Sequence, residues 1–510
     1  MDLDRDACYR IICSHDARFD GRFFTAVKTT GVFCRPICPA RIPKLENCVF
    51  LPSAAAALKA GFRPCHRCLP ELSPDLRARR SSGAISRALN LIAEGLMDQE
   101  GVDDLARQVG LSTRQLRRLF ARHLGASPAA VGRTRRILFA KKLIGETSLS
   151  LTEVAHASGF RSLRRFNAVM REALGRPPQD LRSSEPSQRE PAHGIALKLA
   201  YAPPLNWSAL MRYLKPRAIP GVELADDESY SRSIEIDGEE GIVEVRPHSG
   251  RDQLVAVIHL RKVASLSAVV TRLRRMFDLD ADCHEISRHL SEDPGLASRV
   301  FALPGLRLAG AWDPFELSVR AILGQQVSVA AATTLAGRLV EAYGRKLSCT
   351  AGQTPSPGPK LLFPLPERLA GADLTALGMP RRRAAAVSGL AAAAARDEEL
   401  FSSFTTLEEI VARLVELPGI GEWTAQYIAM RALGEPDAFP GSDLGLLKAW
   451  SVGNKRATPT ALSHAAQRWR PWRGYAAMYL WLGDSIGGQA ASRSAWNYSS
   501  TASSPTLGHS

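Results

Sequence analysis

Apolar residues recur at helical spacing twice between residues 81 and 183 of this chain. Each copy has one apolar-patterned stretch, a glycine (Gly110 or Gly159) and a second such stretch, and the two glycines stand 49 positions apart. The apolar positions of the two copies are Leu105, Ala106, Val109, Leu116, Leu119 and Phe120, then Val154, Ala155, Phe166, Val169 and Met170. Two helices joined at a glycine form a helix-turn-helix unit, so the pattern predicts a pair of such units.

The pattern changes in the second half of the chain. Apolar and polar positions alternate in places over Gly194–Val270, as in Ile234-Glu235-Ile236, which predicts an antiparallel sheet with one helix at Leu205–Leu214. Helical spacing returns over Cys283–Gly487. The stretch Cys349–Pro366 interrupts it, and its five prolines predict a loop.

We therefore predict a multidomain α+β chain, as its 510 residues also favour. The parts are a small four-cysteine zinc domain (1–75), an all-α double helix-turn-helix domain (81–183), a linker (184–192), an antiparallel-sheet α+β subdomain (193–282), an all-α domain (283–487) and a disordered tail (488–510). The linker is assigned because it is polar and has two prolines and no apolar periodicity. The tail is assigned because its residues are small and polar.

Positive charge is concentrated in one part of the chain. The formal net charge is +15, and residues 76–182 alone hold 20 Lys and Arg against 9 Asp and Glu. A surface this basic usually meets a polyanion, and nucleic acid is the first candidate because the helix-turn-helix pattern lies in the same stretch. Ordinary solvated arginines are the alternative.

Composition also indicates the compartment. The first residues carry charge where a signal peptide needs an apolar run, and no apolar stretch approaches the roughly 20 residues of a membrane span. Nine cysteines, with four at metal-ligand spacing, favour a reducing interior over a disulfide scaffold. We expect a cytoplasmic protein with no membrane partner.

Four cysteines have the spacing of a metal site. Cys34 and Cys38 form a C-x3-C pair, and after 26 residues Cys65 and Cys68 form a C-x2-C pair. Each pair puts two thiolates on one turn, so the two turns complete a tetrahedral four-thiolate site for one Zn²⁺. The thiolates of such a site stay deprotonated at neutral pH, and a sulfur of this kind can attack a methyl carbon.

The residues around this site, Phe24–Arg41 and Gly61–Cys68, resemble the amino-terminal domain of the Ada-type adaptive-response regulators. The resemblance covers about residues 5–75 and implies that Cys34 accepts methyl groups from DNA phosphotriesters. A methylated phosphotriester is neutral, so the anionic site can approach it, and methyl transfer then weakens its repulsion of the DNA backbone. A purely structural zinc site is the alternative.

The helix-turn-helix pair resembles the DNA-binding module of AraC-type regulators. The stretch Ala155–Phe166, followed by Gly175–Pro178, carries the resemblance. It implies recognition helices that begin near Ser112 and Arg161 and enter two major grooves of promoter DNA, with RNA polymerase as a further partner. The side chains implied to face DNA are Ser112, Thr113, Arg114, Gln115 and Arg118, then Arg161, Ser162 and Arg164. Helical packing without DNA is the alternative.

A second DNA motif lies toward the C-terminus. Leu417–Ala425 is a helix-hairpin-helix signature, in which backbone N–H groups at Gly419 and Gly421 can hold a phosphate at the next helix's N-terminus. Together with Phe439–Leu446, which contains Asp443, it resembles the helix-hairpin-helix glycosylase superfamily. Further segments extend the resemblance to 3-methyladenine DNA glycosylase II over about residues 195–487, and these are Asp313–Leu317, Ile322–Ser328 and Arg470–Arg473.

This second resemblance implies hydrolysis of the N-glycosidic bond of a nucleotide flipped from the duplex. A base alkylated at N3 or N7 is cationic and leaves readily, so one carboxylate, Asp443, suffices to stabilise the sugar cation and orient water. The pocket aromatics correspond to Trp423, Tyr427 and Trp481, whose π faces suit a cationic base. Gln326 stands where the family has an apolar wedge that fills the vacated stack. The alternatives are a helix N-cap for Asp443 and core packing for the aromatics.

Two absences complete the expectation. Glycosylase/lyases of the superfamily carry a Schiff-base lysine where this chain has Trp423, which implies a monofunctional enzyme. The C-terminal region has no four-cysteine cluster for an iron–sulfur centre, and nothing in the sequence indicates an organic cofactor.

The combined expectation is a monomeric, nucleoid-associated bacterial protein of DNA alkylation repair and response. It would accept methyl groups, activate transcription and excise alkylated purines such as 3-methyladenine from double-stranded DNA. One alternative is a transcription regulator whose C-terminal half binds DNA without excision. The other is a repair enzyme whose zinc and helix-turn-helix parts only tether it.

Overall fold

The computed structural model describes residues 4–73, 83–182, 194–348, 358–397, 399–401, 406–451 and 456–490. The predicted linker 184–192 and residues 491–510 of the predicted tail lie outside this range. None of the described helices combines the length and apolar character needed to cross a membrane.

The N-terminal domain is built on a small sheet. Its strands are β1 (Phe24–Val27), β2 (Val32–Cys34), β3 (Cys48–Leu51) and β4 (Arg63–Pro64), and its helices are α1 (Arg5–Ser14) and α2 (Ala54–Lys59). The sheet order is β3-β1-β2-β4, with β1 antiparallel to β2 and β3 and with β2 parallel to β4. Phe24 on β1 and Phe33 on β2 pack edge to face, and the parallel pairing of Phe33 with Pro64 places the end of β2 beside the end of β4.

Seven helices follow, and they form the predicted pair of helix-turn-helix units. They are α3 (Gly83–Glu94), α4 (Leu96–Gln99), α5 (Val102–Gln108), α6 (Thr113–Leu124), α7 (Pro128–Glu146), α8 (Leu151–Ala157) and α9 (Leu163–Leu174). Gly110 and Gly159 adopt φ values of 71° and 76° between the helices of each unit. A side chain is disfavoured in this backbone region, so glycine sets the sharp turn.

The next subdomain is an antiparallel sheet with helices beside it. Its strands are β5 (Ile195–Ala200), β6 (Glu223–Ala225), β7 (Tyr230–Ile236), β8 (Glu239–Pro247) and β9 (Gln253–Leu260), and its helices are α10 (Trp207–Leu214) and α11 (Leu266–Met276). The strand order β5-β9-β8-β7-β6 makes β5 an edge strand. The predicted sheet region reached Val270, but the apolar positions of Leu266–Met276 follow helical spacing and form α11.

The rest of the described chain is mainly helical. Its helices are α12 (Cys283–Ser291), α13 (Pro294–Ala302), α14 (Pro314–Leu323), α15 (Val329–Tyr343), α16 (Pro366–Ala370), α17 (Arg381–Arg396), α18 (Leu407–Val415), α19 (Glu422–Arg431), α20 (Leu444–Ala449), α21 (Pro459–Ala465) and α22 (Arg473–Ala490). Short 3-10 helices occur at Ala17–Phe19, Leu45–Asn47, Pro70–Leu72, Pro178–Leu181, Lys215–Arg217, Val263–Ser265, Leu374–Leu377 and Ala466–Trp469.

Two sequence expectations need correction here. Leu361–Leu362, inside the predicted loop, forms strand β11, which pairs with β10 (Arg345–Lys346) as a two-stranded ribbon. Helix α22 runs to Ala490, so residues 488–490 are helical and do not belong to a disordered tail. In the first case the pairing is between segments far apart in sequence, which a local proline count does not detect.

The apolar core does not follow the predicted domain boundaries. The first helix-turn-helix unit has a core of its own around Leu105 and Phe120. The core of the second unit, including Leu143 and Phe166, is continuous with that of the C-terminal half. The two parts are therefore packed together, and the bonds between α7 and β5 show how.

Helix α7 closes the free edge of β5 with an ion pair. Lys142 Nζ donates to the Lys198 carbonyl, and Glu146 Oε2 accepts the Lys198 N–H at 2.9 Å. Lys142 and Glu146 also pair with each other at 2.9 Å, and their side chains are 7% and 13% exposed. Side chains of α7 thus satisfy both the N–H and the carbonyl of Lys198, at an edge where another strand could otherwise pair.

Candidate functional site

The four predicted metal ligands lie together at one end of the small sheet. Cys34 ends β2 and Cys65 follows its parallel neighbour β4, while Cys38 and Cys68 lie in the turns after them. The four Sγ atoms all lie within 4.8 Å of one another. Tetrahedral zinc with bonds of about 2.3 Å places its sulfurs about 3.8 Å apart, so this donor set fits the ion.

The surroundings of the cluster distinguish Cys34 from the other three cysteines. Cys38, Cys65 and Cys68 are buried, whereas Cys34 is partly exposed. Hydrogen bonding among the thiols raises the pKa of Cys34 and lowers that of Cys65. Four thiols so close cannot all ionise without a cation, so a divalent ion is the natural occupant of the site.

Arg35 connects the two cysteine-containing segments. Its backbone N–H donates to Cys68 Sγ at 3.3 Å, and its guanidinium donates to the Cys68 carbonyl at 3.1 Å and to Asp20. The Arg67 N–H donates to Cys65 Sγ at 3.4 Å. These bonds hold two sulfurs in place and leave Cys34 accessible.

The predicted DNA-facing residues of the first helix-turn-helix unit fall into two groups. Ser112 is the N-cap of α6 and forms a capping box with Gln115, and Thr113 Oγ1 donates to Asp103 at 2.6 Å. These three side chains are used within the protein. Arg114 and Arg118 are exposed on α6. Of the predicted residues, Arg114 and Arg118 therefore remain the candidates for contact with DNA.

The second unit repeats this arrangement. Ser162 is the N-cap of α9 and accepts the Arg165 N–H, while Arg161 and Arg164 are exposed. A Cβ on Gly159 would lie 2.3 Å from the Asp98 carboxylate, so the turn before α9 packs directly on α4. The turn has no room for a side chain, and this fixes where α9 begins.

The hairpin signature forms a tight turn between α18 and α19. Gly419 adopts a φ of 86°, and a Cβ there would lie 2.4 Å from that of Ala386. Gly421 is the N-cap of α19, and both glycines are exposed. Both glycines therefore lie at the surface beside a helix N-terminus, where backbone N–H groups suit a phosphate.

Gln326 lies beside this hairpin on the loop before α15. It is exposed and adopts a φ of 56°, which is uncommon for a residue with a side chain. The preceding residue holds the loop, because Gln325 Nε2 donates to the Gly419 carbonyl at 2.9 Å and to Thr424 Oγ1 at 3.1 Å. The loop and the hairpin thus form one surface.

Asp443 lies between two indole rings at the start of α20. Trp481 Nε1 donates to Asp443 Oδ1 at 2.9 Å, and Trp423 Nε1 donates to Oδ2 at 3.1 Å. The Leu446 N–H also donates to Oδ1 at 3.0 Å, so Asp443 is the N-cap of α20 as well. The cap accounts for one of three hydrogen bonds, and the two indoles hold the carboxylate at the cavity mouth.

A cavity of about 990 Å³ opens beside this carboxylate. The predicted aromatics line it together: Trp423 stacks on Tyr427 with ring centroids 5.6 Å apart, and Tyr427 meets Trp481 edge to face at 6.1 Å. Gln326 and Gly421 lie on the same lining. Elements far apart in sequence thus converge on one aromatic cavity.

Sequence reasoning missed the floor of the cavity. Tyr213, Arg217, Arg320 and Arg431 also line it. Burial raises the pKa of Tyr213 to about 12. Burial acts in the same direction on Tyr427, but the charges of Arg431 and Arg217 outweigh it and lower the pKa of that hydroxyl. The sequence does contain one signal for Arg431, since positions 423, 427 and 431 are spaced by four residues and share a helix face.

A second cavity, of about 880 Å³, lies where the N-terminal domain, the helix-turn-helix pair and the C-terminal half meet. None of the predicted site residues lines it. Glu71 and Lys141 form an ion pair at its edge, each 5% exposed. We regard this space as part of the packing between domains.

Four family models match successive parts of the chain. They are the metal binding domain of Ada (residues 7–71), a helix-turn-helix domain (105–184), the AlkA N-terminal domain (196–313) and the HhH-GPD superfamily base excision DNA repair protein (319–472).

One relative matches almost the whole chain. The probable bifunctional transcriptional activator/DNA repair enzyme AlkA of Mycobacterium tuberculosis is 41% identical over 488 residues, which cover 94% of this chain and 97% of the relative. The chain belongs to this AlkA family of bifunctional activators and repair enzymes. Membership confirms the expected multidomain α+β architecture, and the Ada-type domain with its clustered cysteines makes the chain a zinc-binding protein.

The C-terminal half of this AlkA-family chain has relatives of its own. DNA-3-methyladenine glycosylase 2 of Escherichia coli is 37% identical over 291 residues, covering 56% of this chain and 95% of the relative. The 3-methyladenine DNA-glycosylase structure from Archaeoglobus fulgidus shares the fold, with a TM-score of 0.50, 24% identity and coverage of 57% of this chain and 98% of that one. With the helix-turn-helix match, these relatives make the chain a DNA-binding protein.

Proposed function

We propose that this protein repairs and reports DNA alkylation with three linked activities. It hydrolyses the N-glycosidic bond of alkylated purines such as 3-methyladenine, without lyase activity. It accepts methyl groups from DNA methylphosphotriesters onto Cys34. It binds promoter DNA as a methylation-activated transcription regulator that works with RNA polymerase, as a nucleoid-associated monomer in the bacterial cytoplasm.

The observation that carries the glycosylase is the carboxylate held by two indoles at the mouth of an aromatic cavity. A flipped alkylated purine can pack against the aromatic wall formed by Trp423, Tyr427 and Trp481, whose π faces attract a cationic ring. Asp443 then stabilises positive charge at C1′ as the bond to the base breaks. Its two indole donors fix the carboxylate, so little reorganisation is needed in the transition state.

The hairpin and the loop at Gln326 would hold the DNA around the lesion. The exposed N–H groups of Gly419 and Gly421 can bind one phosphate, and Gln326 projects from a loop that Gln325 ties to the same hairpin. A side chain on this rim is placed to enter the stack that the flipped nucleotide leaves. This supports the proposed role of Gln326 as a wedge.

The partly exposed position of Cys34, beside three buried cysteines, supports its role as the methyl acceptor. A zinc ion held by Cys34, Cys38, Cys65 and Cys68 would keep the four sulfurs deprotonated. Cys34 Sγ then attacks the methyl carbon, the S–C bond forms and the C–O bond breaks. The electron pair returns to the phosphate oxygen, which restores the negative charge of the phosphodiester. The methylated cluster has less negative charge, which weakens its repulsion of the DNA backbone.

The exposed arginines support the regulator function. Arg114 and Arg118 lie on α6, Arg164 lies on α9, and Arg161 lies just before the N-cap of α9, and all four are exposed. Helix N-termini and arginines both favour phosphates and the acceptor edges of guanine. The capping residues Ser112, Gln115 and Ser162 would act mainly by setting the start of each helix, and Thr113 by its hydrogen bond to Asp103.

One experiment tests the enzyme against its alternative, a regulator whose C-terminal half only binds DNA. Purified protein is incubated with duplex DNA treated with a methylating agent. Released purines are measured by chromatography and methylation of Cys34 by mass spectrometry. We expect free 3-methyladenine and one methylated cysteine per chain. DNA binding without any released base would favour the alternative.

A further inference from the structure

Three side chains descend one face of α19 from the hairpin into the core. Trp423, Tyr427 and Arg431 are spaced by four residues, so each lies one turn below the last, and Arg431 is about 12 Å along the axis from Trp423. Since Trp423 bonds Asp443 at the cavity mouth, Tyr427 and Arg431 mark increasing depth. The structure of the cavity floor therefore depends on the groups to which Arg431 is hydrogen-bonded.

Arg431 holds two tyrosine hydroxyls. Its Nη1 donates to Tyr213 Oη at 2.7 Å and to Tyr427 Oη at 2.8 Å, while its other nitrogens donate to the carbonyls of Ala309 and Gly310. Arg431 is 4% exposed, so these bonds replace its lost hydration. Both tyrosine oxygens thus have a fixed position and accept from a cation.

The two tyrosine hydroxyls carry two protons, and the hydrogen bond between them uses only one. Their oxygens are 3.2 Å apart, so one hydroxyl donates to the other. In the described part of the chain, no further acceptor takes the second proton. Tyr213 is 2% exposed, whereas Tyr427 is partly exposed on the cavity wall. The arrangement that uses every group has Tyr213 donating to Tyr427, whose own proton faces the cavity.

We propose that Tyr427 is a specificity-determining residue whose hydroxyl donates a hydrogen bond to the far edge of the flipped base, and that Tyr213 and Arg431 position it. This inference rests on the proposed glycosylase function and adds a preference within its substrate class. Two donors to the Tyr427 oxygen polarise its O–H bond, and the lowered pKa of this hydroxyl agrees with that.

The preference follows from the chemistry of the two purines. A flipped nucleotide enters with its sugar at the mouth, near Asp443, so the edge that carries C6 meets the floor. Guanine has a carbonyl oxygen at C6 and adenine has an amino group. A hydroxyl donor at the floor therefore favours 7-methylguanine over 3-methyladenine relative to a cavity without it.

The hydroxyl proton is not transferred in this step. The bond from C1′ to the base breaks with its electron pair going to the base, and the cationic purine leaves neutral. Water adds to C1′ and loses its proton to solvent. Tyr427 keeps its proton throughout and only stabilises the carbonyl lone pair, whose basicity rises as the base becomes neutral.

The test compares excision of 7-methylguanine and 3-methyladenine from otherwise matched DNA under single-turnover conditions with saturating protein. Tyr427→Phe keeps the ring that stacks on Trp423 but deletes the donor. We expect its ratio of 7-methylguanine to 3-methyladenine rates to fall by up to about tenfold, the size of one hydrogen bond. An unchanged ratio would overturn the inference, even if both rates fall.

Two further variants separate this role from a structural one. Tyr213→Phe leaves the Tyr427 proton but removes one donor to its oxygen, so the same ratio should fall by a smaller factor; this variant carries the test if Tyr427→Phe does not fold. Tyr479→Phe, a buried tyrosine that contacts Ser287 outside the cavity, should leave the ratio at the wild-type value. Wild-type protein that excises neither base would refute the proposed function itself.

Discussion

Trp481 and Asp443, 38 residues apart in sequence, are joined by an indole N–H that donates to the carboxylate at 2.9 Å. The bond fixes a carboxylate that also caps helix α20. Because Trp481 lines the aromatic cavity at the same time, the group that would contact the base also orients the acid. In the proposed glycosylase site, the position of the carboxylate therefore depends on a ring of the base pocket.

Asp443→Asn should abolish excision while leaving the fold and DNA binding intact. Asparagine keeps the N-cap bond through its amide oxygen, but its amide nitrogen cannot accept the Trp423 N–H, so we expect the free energy of unfolding to fall by about 1 kcal/mol. Loss of the negative charge at C1′ should slow base release at least about a hundredfold. The measurements are single-turnover release of 3-methyladenine and urea unfolding.

Asp443→Ala is the matched comparison, since it loses the cap as well and should cost about 1 kcal/mol more than the Asn variant. Excision that persists in the stable Asn variant would contradict the assignment of Asp443.

Trp481→Phe tests the link between the indole and the carboxylate. The variant keeps an aromatic face but loses the donor to Asp443, so we expect base release to slow by about tenfold. Trp472→Phe is a control, because Trp472 is buried outside this cavity. If both variants slow release equally, the effect comes from general loss of packing.

How much of this site the sequence predicted depends on how local each part is. The four cysteines lie in two short segments at zinc spacing, and their clustering confirms that prediction, while Asp443 could be proposed because it lies next to a recognisable motif. Tyr213 and Tyr427 are 214 positions apart, and only the packing of α10 on α19 brings their hydroxyls to 3.2 Å. No local pattern could pair them.

The fold shows the same division. Gly110 and Gly159 mark turns by their own conformational freedom, and the structure gives both a positive φ. Strand β11, in contrast, forms because Leu361 and Leu362 find a partner in β10. Its sequence is adjacent to prolines, and a pattern that depends on a distant partner cannot be read from the neighbours alone.

Cys34→Ala should abolish methyl uptake from methylated DNA, since Cys34 is the partly exposed cysteine of the cluster and the other three are buried. Mass spectrometry of the zinc domain measures the uptake, and zinc content is measured on the same sample. Cys13→Ala is the control, because Cys13 is exposed but lies outside the cluster. Methylation of another ligand in a zinc-loaded Cys34 variant would refute the assignment.

Arg114→Gln and Arg118→Gln should weaken promoter binding through lost phosphate contacts. Each contact removed should reduce the slope of log affinity against log salt concentration by about 0.9. Fluorescence anisotropy over a salt series measures the slope. Arg107→Gln, on α5 and 75% exposed beside Asp104, should leave it unchanged. Equal slopes for all three variants would mean that α6 does not face the backbone.

Removing the ion pair at the β5 edge should destabilise the C-terminal half, although both residues belong to the helix-turn-helix domain. In Lys142→Gln/Glu146→Gln, charge-assisted bonds to Lys198 become neutral ones, which should cost about 1–3 kcal/mol in the free energy of unfolding. All eight tryptophans lie at or after position 207, so tryptophan fluorescence during urea unfolding follows this half alone.

The matched control is a second ion pair that begins on the same helix. Arg133 and Glu172 are 44% and 68% exposed, and Arg133→Gln/Glu172→Gln should change the same transition by less than about 0.5 kcal/mol. Coupling between the halves predicts that the Lys142 variant shifts the tryptophan transition and the Arg133 variant does not. If the transition stays at the wild-type urea concentration in both, the two halves unfold independently and the contact at Lys198 does not join them.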